Sequence, residues 1–262
     1  MQIRVLGCYG SASVVKEGSV CKRYHSSCFQ INESTLIDAG SISGSLDLHE
    51  MTKIRTIFLS HAHLDHIHSL PFVAESLFGK IKQPVVIAST EEVLASLKEH
   101  IFNNSIWPDF TAIPNQLHPI LRYQTIKPGV PVRVNGLKVT AIAVNHLVPA
   151  VGYLVEDRVS AFVYSGDTYQ TEEIWDRASR LKSLKAVFME STFPDRMGEL
   201  ALLSKHLTPA LSYQEFLKIR REEISLYLYH MKVPYLDEIK KDVKTIPHKK
   251  GRLLKDGLLI TL

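Results

Sequence analysis

The chain carries His61-Ala62-His63-Leu64-Asp65-His66 directly after the apolar run Thr56-Ile57-Phe58-Leu59. A short apolar run of this kind is typical of a buried strand. In an extended chain residues i and i+2 point to the same side, so His61 and His63 can bind one metal ion. If a helix follows, the aspartate and the last histidine turn towards a second ion. A surface histidine cluster without a metal is the alternative, but four side chains of ligand type rarely follow a buried strand by chance.

Five further strand-like runs also end at a residue of ligand type. These residues are Asp38, His146, Asp167, Glu190 and His230. In layered α/β folds, binding sites lie outside the carboxyl ends of the strands. We therefore expect these side chains to meet the histidine motif in one shared site.

Seven of these side chains are candidate metal ligands, which is too many for one tetrahedral zinc ion. The assignment is His61, His63 and His146 on one ion, Asp65, His66 and His230 on a second ion, and Asp167 as a bridge. Two such ions about 3.5–4 Å apart hold a hydroxide between them at neutral pH and bind the oxygens of a phosphoryl group. Hydrolysis of a phosphoester is the predicted reaction. Zinc is the expected metal, with manganese and iron as alternatives, because imidazole and carboxylate ligands suit all three.

Strand-like and helical segments occur in blocks along the 262 residues. Strands dominate the first 60 residues and residues 119–165, and helices are predicted at 66–79, 90–101, 170–182, 209–222 and 234–242. A loop is expected between the first strand and position 27. Two packed sheets with helices outside predict an α/β fold, a four-layer αββα sandwich. No linker divides the chain, so residues 1–262 are expected to form one hydrolase domain.

The composition limits the partners and the compartment. A net charge of +4 permits an anionic substrate but does not by itself argue for a nucleic-acid partner. No apolar stretch approaches the roughly 20 residues that span a bilayer, and the first residues lack the apolar region of a signal peptide. Because Cys8, Cys21 and Cys28 are odd in number, we expect reduced thiols in a cytoplasmic protein, with a Cys21–Cys28 disulfide as the alternative. His248 and the pair Lys249-Lys250 are expected to lie at the surface.

The ligand pattern resembles the metallo-β-lactamase superfamily, whose signature is HxHxDH followed by a distant His, Asp and His. Within it, the chain looks most like the class II cyclic-nucleotide phosphodiesterases. The matching segments are Ser60–Ile67, His100–Asn103, Ile106–Phe110, Val144–His146, Val148–Gly152, Ser165–Thr168, Glu190–Pro194 and His206–Pro209. The resemblance implies an αββα fold, two divalent metal ions, a homodimer, and hydrolysis of a 3′,5′-cyclic nucleotide such as cAMP to the 5′-monophosphate.

A more distant resemblance is to the tRNA 3′-processing endonucleases, which share the pairing of Glu190 with His206-Leu207-Thr208. The stretch after Glu190 is compact and shows no long insertion for binding a tRNA. An RNA-processing nuclease of the same fold is therefore the alternative function. A hydrolase of thioesters, lactones or sulfates and a non-catalytic sensor are further alternatives, because the fold hosts many chemistries. The complete ligand set argues against the sensor.

The predicted catalytic residues are Asp65, His206 and Glu190. His206 can donate a proton to the leaving oxygen or stabilise the charge of the phosphoryl group, and Glu190 can orient it. Asp65 can orient the hydroxide in addition to binding a metal. Asp38 can hold a ligand histidine by its free ring nitrogen, with a role in the turn before Ala39-Gly40 as the alternative.

Four side chains are candidate substrate contacts: Trp107, Phe110, Asn103 and Thr208. Nucleobases stack on aromatic faces, so the two rings can form the wall of a base pocket. Core packing beneath a loop is the alternative for both rings. His68 stands where the family more often has a small residue, and we expect it to be exposed on the first turn of a helix.

Overall fold

The computed structural model describes residues 1–247 and 251–262, so the positions predicted for His248, Lys249 and Lys250 lie outside the described residues. The strands in chain order are β1 (Gln2–Gly7), β2 (Ser13–Glu17), β3 (Val20–Tyr24), β4 (Cys28–Ile31), β5 (Thr35–Ile37), β6 (Thr56–Phe58), β7 (Val85–Ser89), β8 (Leu121–Thr125), β9 (Val132–Val134), β10 (Leu137–Ala143), β11 (Val151–Glu156), β12 (Ala161–Tyr164), β13 (Leu184–Glu190), β14 (Ser225–Tyr229), β15 (Gly251–Leu253) and β16 (Leu259–Thr261). Apart from the hairpin β2–β3, these strands form two large sheets.

Each sheet combines an antiparallel half with a parallel half. The first sheet has the order β16-β1-β4-β5-β6-β7-β8, and the second has the order β15-β14-β13-β12-β11-β10-β9. Strands β5 to β8 are parallel, and so are β12 to β15. The carboxyl ends of several strands in each sheet therefore lie at one edge.

Helices cover the outer face of both sheets. Those in chain order are α1 (Ile42–Ser45), α2 (Leu48–Thr52), α3 (Leu64–Ile67), α4 (Leu70–Leu77), α5 (Glu91–His100), α6 (Glu173–Ser179), α7 (Gly198–Ser204), α8 (Pro209–Leu217) and α9 (Leu236–Val243), with 3₁₀ turns at Asp195–Met197 and Val233–Tyr235. One apolar cluster lies between the sheets, a second packs α4 and α5 on the first sheet, and a third packs α6 and α8 on the second. The predicted αββα sandwich is confirmed.

The predicted helix over 66–79 is wrong in one respect, because it is two helices. The backbone N–H of Ser69 donates to Ala39 O at 3.0 Å instead of continuing α3. Pro71 then stands in the first turn of α4, where its missing N–H costs nothing. The helix predicted over 209–222 ends at Leu217, where the backbone N–H groups of Lys218, Ile219 and Arg220 bond to the third carbonyl back, and Arg220 then adopts a left-handed conformation with φ of 56°.

Further elements were not predicted, among them the short helices α1 and α7. The expected loop before position 27 contains the hairpin β2–β3, whose turn is made possible by Gly18 with φ of 62°. Helix α2 was also missed, although Asp47 and Glu50 form a capping box that is legible in the sequence. No helix among the described residues is long and apolar enough to cross a membrane.

The core between the sheets centres on Phe29, which is 1% exposed. Its ring lies 5.2, 5.3 and 5.7 Å from the rings of Tyr164, Tyr229 and Phe188. These three rings belong to the second sheet, so Phe29 joins the two sheets. Edge-to-face contacts of this kind add to the free energy gained by burial.

We expect Phe29→Ala to lower the free energy of unfolding by about 3–5 kcal/mol, because it leaves a cavity between the sheets. Urea denaturation monitored by circular dichroism measures the change. Leu203→Ala is the control, since Leu203 is 73% exposed and its loss should change the free energy by less than about 0.5 kcal/mol. Equal stabilities of the two variants would contradict the central role of Phe29.

Candidate metal centre

The candidate site lies where strands of both sheets end. Asp38 follows β5 and the histidine motif follows β6 in the first sheet, while Asp167, Glu190 and His230 follow or end β12, β13 and β14 in the second. His146 comes from the loop after β10. The turn before Asp167 needs Gly166, whose φ is 62° and where a Cβ would lie 2.6 Å from Val151 O. The shared site expected at the strand ends is therefore present.

The first group of ligand atoms comes from His61, His63 and His146. One nitrogen from each ring lies within 4.8 Å of the others. His63 Nδ1 and His146 Nε2 are 3.3 Å apart. Two nitrogens bound at about 2.0–2.1 Å to one tetrahedral zinc ion lie about 3.3 Å from each other, so this spacing fits a shared ion.

The second group comes from Asp65, His66 and His230. His230 Nε2 lies 3.2 Å from His66 Nε2 and 3.3 Å from Asp65 Oδ2. Asp167 Oδ2 lies between the two groups, at 3.3 Å from His66 Nε2, 3.2 Å from His230 Nε2 and 3.7 Å from His61 Nε2. The structure thus brings the seven predicted ligands together in the arrangement that a bridging aspartate requires.

Two buried polar atoms at the centre support this interpretation. Within the described residues, His61 Nε2 and Asp167 Oδ1 have no hydrogen-bond partner, although both residues are almost fully buried. A buried polar atom without a partner is costly, and a native structure rarely keeps one without a reason. A cation bound by His61 and Asp167 would satisfy these atoms, so the residues present fit a divalent cation.

Asp38 orients one of the ligand histidines. His66 Nδ1 donates to Asp38 Oδ2 at 2.7 Å, which leaves Nε2 to face the site. The same carboxylate accepts hydrogen bonds from Ser60 N at 2.7 Å, Ser60 Oγ at 2.9 Å and Tyr164 Oη at 2.6 Å. The predicted contact of Asp38 with a ligand histidine is present. Ser60 and Tyr164 were not among the predicted site residues, and only Ser60 has a local signal, its place directly before His61.

Two other histidines are held in the same way by the nitrogen that points away from the site. His146 Nδ1 donates to Lys205 O at 3.1 Å. His230 Nδ1 lies 2.9 Å from Thr192 Oγ1. Such contacts set the tautomer and the ring orientation of a metal ligand. Thr192 was not predicted, although it belongs to the Glu190–Pro194 segment of the resemblance.

The electrostatics separate the histidines into two kinds. Burial lowers the pKa of His61 well below its usual value, and also lowers that of His63 and His146. These rings are therefore neutral, as metal ligands must be. Burial also opposes the charged form of His66, but the charges of Asp167 and Asp38 outweigh it and raise the pKa. This concentration of negative charge around His66 is what a bound cation would balance.

Glu190 and His206 form a pair beside the ligands. His206 Nδ1 donates to Glu190 Oε1 at 2.9 Å, and Glu190 is fully buried. The carboxylate also accepts hydrogen bonds from Thr168 N, Thr192 Oγ1 and Leu207 N at 2.8, 2.6 and 3.1 Å. Burial works against a charged imidazole, but the charge of Glu190 raises the pKa of His206 to about 8. The pair is therefore buried and held in one orientation, with an imidazole that favours its protonated form.

His206 also contacts the ligand groups directly. Its ring stacks on that of His230 with centroids 5.2 Å apart. One of its nitrogens lies within 4.8 Å of ligand atoms from His146 and Asp167. The predicted catalytic pair thus adjoins both candidate metal positions.

The predicted substrate contacts lie in other surroundings. Phe110 is 6% exposed and belongs to the core between the first sheet and its helices. Trp107 packs against the same core, with its ring 5.6 Å from that of Phe72. These contacts match the core-packing alternative for both rings.

The two polar candidates serve local structure. The Asn103 side chain donates to Glu99 O and accepts from the next backbone N–H groups of its own loop. Thr208 is the N-cap of α8, where its hydroxyl accepts from Leu211 N at 3.4 Å. His68 is half-buried at the end of α3, not exposed as predicted, and it belongs to none of the ligand groups found among the described residues.

Comparison with known sequences gives the family. A model described as "Beta-lactamase superfamily domain" matches residues 36–231. A probable 3′,5′-cyclic-nucleotide phosphodiesterase of Yersinia pestis is 23% identical over 183 residues, which are 64% of this chain and 52% of that protein. A ribonuclease Z of Pyrococcus abyssi is 30% identical over 107 residues, which are 40% of this chain and 32% of that protein. The chain thus spans a third to about half of these curated relatives.

Comparison with solved structures gives the same fold. The crystal structure of unliganded yeast PDE1 superimposes with a TM-score of 0.80 at 17% identity, over 100% of this chain and 99% of that one. An identity this low shows the fold alone. The family match covers most of the chain and includes the histidine motif, Asp167 and His230. The chain therefore belongs to the metallo-β-lactamase superfamily.

Proposed function

We propose that this protein is a dinuclear-metal phosphodiesterase that hydrolyses 3′,5′-cyclic nucleotides to 5′-monophosphates. The observation that carries the proposal is the pair of ligand groups around Asp167 with the Glu190–His206 pair beside them. Two adjacent cations and a nearby acid are what an in-line displacement at phosphorus requires. The cyclic-nucleotide substrate is supported by the relatives named as phosphodiesterases and by the fold shared with yeast PDE1.

The residues of the chain divide the reaction between them. Bound metal ions supply a nucleophile at neutral pH and stabilise the phosphoryl oxygens. Asp65, at the edge of the second ligand group, is the residue that we propose to orient the attacking water. His206, held by Glu190 through Nδ1, presents Nε2 to donate a proton to O3′ as the P–O3′ bond breaks.

Zinc is the metal we propose, with manganese and iron as alternatives. Five imidazoles and two carboxylates form the donor set. Imidazole suits zinc and iron, and carboxylate suits manganese, so a donor set with more imidazoles than carboxylates favours zinc.

A ribonuclease of the same fold is the second candidate. The match to ribonuclease Z and the Glu190–His206 pair favour it. A nuclease also needs a basic surface that binds the RNA backbone, and its affinity would fall steeply with salt. Among the described residues, the segment after Glu190 forms only a short 3₁₀ turn and α7. It contains no long insertion that could bind an RNA.

The substrate class is tested with purified protein, added zinc or manganese, and a chelator control. A panel of 3′,5′-cyclic nucleotides is assayed beside an unstructured RNA and a precursor tRNA. We expect chelator-sensitive conversion of a cyclic nucleotide to its 5′-monophosphate with both RNAs intact, and the panel reveals the base preference. Cleavage of RNA with the cyclic nucleotides inert would establish the nuclease instead. If the protein hydrolyses none of these substrates, the remaining functions are a hydrolase of thioesters, lactones or sulfates and a non-catalytic sensor.

His63→Ala and Asp167→Ala should each abolish hydrolysis and lower the metal content, because each removes a ligand of a candidate ion. Elemental analysis of the purified variants gives the metal content, and the cyclic-nucleotide assay gives the activity. His49→Ala is the matched control, since His49 is exposed on α2 away from the ligand groups. Retained activity in either ligand variant would refute the metal assignment.

His206→Ala should lower turnover by about 10²–10⁴-fold, the usual contribution of a positioned general acid. Both metal ions should remain bound, since His206 lies beside the ligand groups and not within either triad assigned to an ion. Turnover is measured with saturating substrate and metal content by elemental analysis. Loss of metal in this variant would place His206 among the ligands and would refute its role as proton donor.

A further inference from the structure

Lys232 places a cation at the edge of the metal centre. It stands two residues after His230, and its Nζ lies 3.9 Å from Asp65 Oδ2. The side chain is 29% exposed, so solvent or a ligand reaches it. Its charge also acts on the other side of the centre, where it opposes the protonated form of His206. Lys232 therefore lies beside Asp65, and its charge acts on the proposed proton donor.

The backbone holds this ammonium group in place. Lys232 Nζ donates to the carbonyl of Gly10, and Gly10 N donates to Met231 O at 3.1 Å. A Cβ on Gly10 would lie 2.8 Å from His230 O and 3.0 Å from His230 Cε1. The loop after β1 is thus packed on the His230 ring, and the lysine is tied to that loop.

The lysine retains donors for a ligand. An ammonium group has three N–H donors, and Gly10 takes one of them. The distance of 3.9 Å to Asp65 is too long for a hydrogen bond, and Asp65 has His230 as a nearer neighbour. A phosphate oxygen at the site would accept a charge-assisted hydrogen bond from the remaining donors.

We infer that Lys232 binds a non-bridging oxygen of the substrate phosphoryl group. The assignment rests on the proposed phosphodiesterase function. Lys232 would bind this oxygen from the rim next to Asp65, beside the residues that would hold the two ions, while His206 acts on the leaving oxygen. The lysine is fixed before the substrate arrives, so little conformational entropy is lost when the phosphate binds.

The test uses the metal-loaded protein with inorganic phosphate as the probe in calorimetric titrations. Lys232→Met should weaken phosphate binding by about 10- to 100-fold, the range for a hydrogen bond to a charged group. Lys232→Arg, which keeps the charge, should restore part of the affinity. Lys53→Met is the control, because Lys53 pairs with Glu33 at the opposite end of the strands. The phosphate affinity of this control variant should equal that of the unchanged protein. In the hydrolysis assay, Lys232→Met should raise KM.

Metal content and thermal unfolding of Lys232→Met separate substrate binding from a structural role. We expect both to match the unchanged protein. Wild-type phosphate affinity in the metal-loaded variant would overturn the inference, and so would loss of metal, which would make Lys232 a support for Asp65 and the Gly10 loop. If the unchanged protein hydrolyses no phosphodiester, the proposed function fails, whereas the phosphate titration still tests Lys232 by itself.

Discussion

The buried carboxylate of Asp167 is the constraint on which the rest of the site depends. It is 1% exposed and lies within 3.2–3.7 Å of ring nitrogens from His61, His66 and His230. A buried charge is tolerated only when it is paired or coordinates a metal. Asp167 and His230 belong to the second sheet, whereas the histidine motif belongs to the first. The two sheets therefore have to meet at this edge with their strand ends aligned.

Two further buried carboxylates hold histidines around this centre by hydrogen bonds. Asp38 in the first sheet and Glu190 in the second are both fully buried. Each carboxylate accepts hydrogen bonds from backbone and hydroxyl donors. Each also accepts a hydrogen bond from Nδ1 of one histidine. A partly satisfied buried network would be worse than an apolar core, so these contacts are needed for folding as well as for chemistry.

The same construction gives the histidines different tasks. His66 on Asp38 faces the candidate ions with Nε2, whereas His206 on Glu190 faces the space beside them. A ring that would bind an ion has to be neutral, whereas a ring outside the ligand triads can keep a proton. The core between the sheets also helps to position Asp38, because Tyr164 packs on Phe29 and donates a hydrogen bond to Asp38. Packing between the sheets and orientation of a ligand are thus one continuous network.

The sequence by itself determined which side chains are the candidates for the chemistry and at which strand ends they stand. The motif after β6 and single residues that end or follow β5, β12, β13 and β14 are local signals, because a residue of ligand type stands at the end of an apolar run. Only the tertiary structure decided what surrounds them. Tyr164 reaches Asp38 across 126 positions and Lys232 reaches Gly10 across 222, and Trp107 and Phe110 pack in the outer core. Such contacts depend on how sheets and helices pack, for which no short stretch of sequence carries a signal.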